Sequence, residues 1–170
     1  PRVRGVAFTG GTDTARIIHR SLSGRDGPII PLIAETGGLN AMFVDTTALR
    51  EQVIDDVLHS AFGSAGQRCS ALRLLFLPHA TADALIEGLT GAMDELHLGD
   101  PARPETDIGP VIDHDAREML RAHVERMSKE ARLIKQVEAG PIGQSGFGFG
   151  PALIELDSLD QIEQEVRSEE

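Results

Sequence analysis

The chain has a single cysteine, Cys69, in 170 residues. One thiol cannot close an intrachain disulfide, which removes covalent stapling as a source of stability. Such sparing use of cysteine fits a reducing compartment, and a cytoplasmic location is expected. Positive charge is scarce as well, with 16 Lys and Arg against 27 Asp and Glu and a net charge of −11. Binding a nucleic-acid backbone needs a cationic stripe that displaces counterions, so no nucleic-acid partner is expected through this segment. No apolar run approaches the roughly 20 residues of a membrane span, and the opening residues lack the apolar heart of a signal peptide, so no membrane partner is expected through this segment either. The histidines are scattered: none of His19, His59, His79, His97, His114 and His123 lies four residues from another. With no second cysteine to join them, no metal site is expected.

What remains is an ordinary globular composition, 41% hydrophobic and 25% charged, of a length that one domain can accommodate. The sequence opens without methionine, and residues 3–8 already have the character of a strand. Its last stretch is acidic, with Glu155, Asp157, Asp160, Glu163, Glu165, Glu169 and Glu170 against Arg167 alone. Both ends suggest a piece of a larger protein. Between them short apolar runs at 3–8, 29–34, 41–44, 72–77 and 153–156 read as strands, several unbroken enough to be buried on both faces. Segments 12–22, 48–62, 81–96 and 114–132 carry the helical apolar rhythm, with Thr46 or Thr47 and Asp113 as N-caps and Met119, Leu120, Val124 and Met127 as the buried side of the last helix. Residues 23–31, 99–110 and 140–151 read as loops. The alternation predicts an α/β fold.

Three segments carry chemistry. The first, Phe8-Thr9-Gly10-Gly11-Thr12-Asp13-Thr14-Ala15, follows a strand and opens a helix, where free N–H groups suit an anion such as a pyrophosphate. Glycine turns of this kind are also common as plain connections. In the second, Glu35-Thr36-Gly37-Gly38-Leu39-Asn40, a carboxylate at a strand end is placed either as a general base or as an exposed turn acid. The third, Phe62-Gly63-Ser64-Ala65-Gly66-Gln67-Arg68-Cys69-Ser70, sets the thiol among small residues. A nucleophilic sulfur works as thiolate, favoured beside a cation such as Arg68 or beside backbone donors; an inert, buried cysteine is the alternative.

In this order the segments resemble the aldehyde dehydrogenase superfamily, whose signatures run F-T-G-S-T-x-x-G, E-[LT]-G-G-x-N and F-x-x-x-G-Q-x-C. Gly99-Asp100-Pro101 with Thr106-Asp107-Ile108-Gly109-Pro110 is similar to the family's G-D-P…T-x-x-G-P stretch, and 146–154 to its G-[FY]-F-x-x-P-T-[LI]. Thr36 and Leu39 look most like the bifunctional proline-utilization group, whose dehydrogenase half oxidises L-glutamate γ-semialdehyde to glutamate.

The resemblance implies an NAD-dependent dehydrogenase with a small-molecule aldehyde substrate and a homo-oligomeric parent protein. It implies the end of a Rossmann-type cofactor domain over residues 1–37, part of an α/β catalytic domain over 38–166 and a divergent tail over 167–170. By the same likeness Cys69 attacks the aldehyde, its own N–H helps to hold the oxyanion, and Glu35 activates the water that hydrolyses the thioester. Thr9, Gly10, Gly11, Thr36, Gly37 and Glu165 fall to the cofactor, and Arg68 and Ser70 to the substrate. The chain departs from the pattern at Gly11, where serine is usual, at Ala15, where glycine is usual, and after Val166, where Phe-Gly-Pro is replaced by Arg167-Ser168-Glu169. A different aldehyde, or a scaffold without activity, remains the alternative reading; the isolated 170 residues are expected to turn over little.

Overall fold

A computed structural model describes residues 3–162, the side chains of residues 144 and 145 excepted. Strand β1 (Val6–Thr9), helix α1 (Thr12–Ser23) and strand β2 (Leu32–Glu35) form one β-α-β unit, the strands parallel with Val6 opposite Leu32 and Thr9 opposite Glu35. Strand β3 (Asn40–Phe43), helix α2 (Arg50–Phe62) and strand β4 (Leu72–Phe76) form a second, again parallel. Parallel neighbours require a crossover, and the amphipathic helices supply it. Helix α3 (Ala82–Asp94) and helix α4 (His114–Glu130) follow. Strand β5 (Arg132–Gln136) and strand β6 (Ala152–Glu155) then pair antiparallel, with the short helix α5 (Gly140–Ser145) between them. The architecture is mixed α/β, as predicted.

The core forms where α2 and α3 pack on β4. Val53 and Val57 on one face of α2 pack with Leu85 and Leu89 on one face of α3 and with Leu72 from the sheet, and Met93 is buried one turn further along α3. Leu89 and Met93 are each 1% exposed. Among the described residues no helix is long and apolar enough to cross a membrane.

Several expected boundaries move, each for a local reason. Helix α2 begins at Arg50 rather than residue 48, and neither Thr46 nor Thr47 caps it. Instead the Asp45 carboxylate accepts from the Thr47 N–H at 2.9 Å and its hydroxyl at 2.6 Å, bending the chain into a turn ahead of the helix. Asp113 does cap α4, accepting from the Ala116 N–H at 2.8 Å. Of the expected buried side of α4, Met127 is fully buried and Met119, Leu120 and Val124 half-buried. That helix stops at Glu130, and Arg132, expected to be helical, begins β5: pairing with β6 overrides the helical rhythm, and Arg132 Nη1 meets Glu155 Oε2 across the strands at 2.9 Å. The segment 140–151 is not all loop, because it contains α5. Within this chain each sheet is two-stranded among the described residues, and Ile33 and Phe43 are 61% and 75% exposed.

Candidate active site

Backbone pairing first brings the glycine turn to the glutamate. Thr9 lies opposite Glu35 in the sheet, and the Gly10 N–H donates to the Glu35 carbonyl at 3.1 Å. A Cβ on Gly10 would stand 2.7 Å from the tip of the Phe8 ring, so the turn is as tight as its sequence suggests. Gly11 takes the N-cap of α1 with no side-chain cap, leaving the first N–H groups of the helix without a partner from that residue. Asp13, in the same first turn, is engaged by Arg16 at 3.3 Å. The Glu35 carboxylate ends β2 exposed, and Thr36 and Gly37 are half-buried in the turn that leads into β3.

The cysteine segment is held by side chains rather than by a sheet or helix. After α2 the backbone enters a left-handed 3-10 turn, with Ser64 at φ 58°, Ala65 at φ 55° and Gly66 at φ 71°. Left-handed geometry costs an L-residue roughly 1–2 kcal/mol, and two non-glycine residues in succession carry it here, so the surroundings must enforce it. Gln67 supplies much of that enforcement. Its Nε2 donates to the carbonyls of Ser64 at 3.1 Å and Pro110 at 3.3 Å, and its Oε1 accepts from the Ile112 N–H at 2.7 Å. Arg73 Nη2 adds a bond to the Gly66 carbonyl at 2.8 Å.

Cys69 and Ser70 then form the corner of a tight turn closed by the Ala71 N–H on the Arg68 carbonyl at 3.0 Å. In a trans peptide the N–H points opposite to the C=O. With the Arg68 carbonyl turned inward, the Cys69 N–H is therefore turned outward, and it makes no hydrogen bond among the described residues. Cys69 and Ser70 are both exposed. Within this chain the cysteine is therefore not buried. A reachable sulfur with an open N–H beside it is an arrangement that can attack a carbonyl carbon and hold the resulting oxyanion.

One further clamp crosses between motifs. Asn40 Nδ2 donates to the carbonyls of Cys69 at 2.7 Å and Ala71 at 3.0 Å, joining the Glu35 motif to the cysteine turn. Arg68 Nη2 donates to the carbonyls of His59 at 2.8 Å and Ser60 at 3.4 Å, so the guanidinium caps the end of α2. Glu165 and the tail at 167–170 lie outside the described residues. An apolar cavity of about 660 Å³, lined in part by Val57, Leu72, Leu89, Met127 and Leu153, includes neither Cys69 nor Glu35. Among the described residues no group of three His, Cys, Asp or Glu is placed to hold a metal. Asn40, Gln67 and Arg73 received no role from the sequence, although the first two stand as fixed letters in the motifs.

The family described as "Aldehyde dehydrogenase family" matches residues 1–165. The chain belongs to the aldehyde dehydrogenase family. This aldehyde dehydrogenase chain is 49% identical over 173 aligned residues to the bifunctional protein PutA of Klebsiella aerogenes, covering 97% of the chain and 13% of that protein. It is 33% identical to a 1-pyrroline-5-carboxylate dehydrogenase of Geobacillus thermodenitrificans, covering 97% of the chain and 32% of the relative. In three dimensions it superposes on a mutant of Bradyrhizobium japonicum proline utilization A with a TM-score of 0.94 and 52% identity, covering 98% of the chain and 17% of that structure. A 1-pyrroline-5-carboxylate dehydrogenase from Thermus with bound NAD gives a TM-score of 0.79 at 28% identity, covering 91% of the chain and 30% of that structure. The aldehyde dehydrogenase fold is thus established, over a chain that spans about 13% of the length of its PutA relatives.

Proposed function

We propose that this chain contributes the nucleophile and the general base of an NAD-dependent dehydrogenase that oxidises L-glutamate γ-semialdehyde to glutamate. One observation carries the reading: an exposed thiol at the corner of a clamped turn, its own N–H open beside it, tied through Asn40 to the motif that bears Glu35. The choice of aldehyde leans on the names of the PutA and 1-pyrroline-5-carboxylate dehydrogenase relatives.

The residues fit a dinucleotide in two respects. Gly11 at the N-cap puts no side chain at the start of α1, where a pyrophosphate would bind, and the half-buried Thr36 would offer its carbonyl to a nicotinamide amide. Thr9, Gly10, Gly11, Thr36 and Gly37 would hold it, with Glu165 as the ribose contact. NAD, when bound, accepts the hydride that leaves the aldehyde carbon.

The chain's own groups perform the rest. The Cys69 thiolate adds to the aldehyde carbon, forming the S–C bond, and the charge that develops on oxygen meets the Cys69 N–H. Loss of hydride leaves a thioester on the sulfur. Glu35 takes a proton from water, the hydroxide adds to the thioester carbon, and the C–S bond breaks to release the carboxylate and restore the thiolate. Ser70, exposed beside the nucleophile, would contact the substrate.

The test is NADH formation by the protein expressed from its complete reading frame, with L-glutamate γ-semialdehyde set against other aldehydes. Cys69→Ala should abolish the reaction. Glu35→Gln should retain a burst near one NADH per active thiol and lose turnover, because the first half-reaction does not need the base. Turnover surviving in Cys69→Ala overturns the mechanism, and a preference for another aldehyde overturns the substrate.

A further inference from the structure

Both hydrogens of one side-chain nitrogen converge on the carbonyls of the nucleophile's turn. Asn40 Nδ2 reaches the Cys69 oxygen at 2.7 Å and the Ala71 oxygen at 3.0 Å, which uses the full donor capacity of an amide NH₂ group. The sheet register explains why a side chain is needed. Asn40 faces Leu72, but Ala41 faces Leu74, so the β3–β4 ladder slips at this position. Ordinary backbone pairing is interrupted where the cysteine turn joins β4, and the amide takes up the carbonyls beside the slip.

The consequence falls on Cys69 itself. The peptide before it is fixed by the Ala71 N–H on the Arg68 carbonyl at 3.0 Å, and the peptide after it is fixed by Asn40 on the Cys69 carbonyl. With both flanking peptide planes pinned, φ and ψ at Cys69 are set, and so is the direction of its Cα–Cβ bond. Only rotation about χ1 is left to the sulfur. We infer that Asn40 is a positioning residue that aims the Cys69 thiol and holds the nucleophile's turn in register with the segment carrying Glu35. This deepens the dehydrogenase reading and rests on it.

The partners also dictate which residue types can serve. Aspartate has nearly the same shape but no donor, and would turn a carboxylate oxygen toward two carbonyl oxygens. Glutamine keeps both donors on a stem one methylene longer. Serine keeps one.

The experiment compares Asn40→Asp and Asn40→Gln with the parent in the protein expressed from its complete reading frame. It measures kcat and KM for the aldehyde, the rate of iodoacetamide alkylation of Cys69 in the absence of cofactor, and the urea midpoint. Misplacing a reacting atom by about 1 Å costs on the order of 100-fold, so Asn40→Asp should lower kcat by about 10- to 100-fold with KM within about 2-fold. Its alkylation rate should change, and Asn40→Gln should recover part of kcat. An unchanged kcat in Asn40→Asp overturns the proposal. So does an equal fall in both variants that follows the loss in urea midpoint, since that is the signature of a purely structural bond. Should Asn40→Asp fail to fold, Asn40→Ser replaces it, with kcat lowered at constant KM as the supporting result and unchanged kcat as the refuting one. If the parent protein oxidises no aldehyde, the dehydrogenase reading fails by itself. The alkylation arm then still judges Asn40, and equal rates in parent and variant overturn the positioning role.

Discussion

Adding one methyl group at Gly66 should damage this protein, whereas the same addition at Gly91 should help it. Gly66 is buried and left-handed at φ 71°, and a Cβ there would stand 2.9 Å from the Ala61 carbonyl oxygen and 3.1 Å from Arg73 Nη1. The left-handed conformation costs an L-residue roughly 1–2 kcal/mol. The clash is with backbone in the last turn of α2, which cannot swing aside as a side-chain tip does, and overpacking of this kind costs about 1–3 kcal/mol. Together they predict a loss of about 2–5 kcal/mol for Gly66→Ala, a large share of a typical domain's stability of about 5–15 kcal/mol. Gly91 lies in α3, exposed, with no atom within 4 Å of its would-be Cβ. Alanine there should gain about 0.8 kcal/mol from helix propensity alone. Urea unfolding followed by circular dichroism reads both, with the midpoint falling for Gly66→Ala and rising for Gly91→Ala. Because Cys69 follows the left-handed turn, Gly66→Ala should also lose aldehyde turnover out of proportion to its unfolded fraction. Shifts in the same direction for the two variants, or a Gly66→Ala protein within about 0.5 kcal/mol of the parent, would refute the argument that local geometry decides the sign.

Gln67→Glu keeps the oxygen that accepts from Ile112 but turns a second oxygen toward the Ser64 and Pro110 carbonyls. It should cost about 1–3 kcal/mol, more than Gln67→Ala, because an unpaired group facing acceptors is worse than none; a larger loss for alanine in urea unfolding would contradict this. His123 is half-buried in α4, and burial first and then the charge of Arg126 hold its imidazole below the usual histidine range, with Glu130 opposing. The folded state therefore binds this proton more weakly than the unfolded chain. Its contribution to stability is complete above the unfolded value of about 6.5 and is lost as pH falls through it toward the folded value. His123→Gln should flatten that limb of a urea-midpoint profile recorded from about pH 7.5 down to about pH 5, and an equally steep decline in the variant would remove His123 as its source.

The elements with strong apolar rhythm were legible in the sequence, and the joints between them were not. Helices α1, α3 and α4 lie close to the expected segments because Leu85, Leu89 and Met93, for example, repeat at the spacing that buries one face. Strand β5 was hidden because Leu133 and Ile134 continue the pattern of α4, and only β6, some twenty residues onward, turns them into a strand. The site divides in the same way. Cys69 and Glu35 stand out as residue types in unusual surroundings, and the thiol is exposed in this chain. Sequence proximity to the thiol gives no direction to the long side chain of Arg68, and its bonds to the carbonyl end of α2 could not be read from the sequence. No pattern in the chain announces that Asn40 spans to the Cys69 carbonyl, a contact between residues 29 apart.

Those long contacts give the order of the motifs a physical meaning. The Gly10 N–H bonds the Glu35 carbonyl, and Asn40 of the glutamate motif bonds the cysteine turn. Gln67 of the cysteine motif bonds Pro110 and Ile112, and the Val111 N–H bonds the Phe147 carbonyl at 3.0 Å. Each segment by which the chain resembles its family is thus hydrogen-bonded to the next one along the sequence. Most of these joints accept at a backbone carbonyl, a group that every residue offers, and so constrain the donor far more than the acceptor. Asn40 and Gln67 thus grip with their side-chain amides, whereas most of what they grip is main chain. A cysteine carried on a turn, with no strand or helix ladder through it, is likewise held by hydrogen bonds from residues far along the chain.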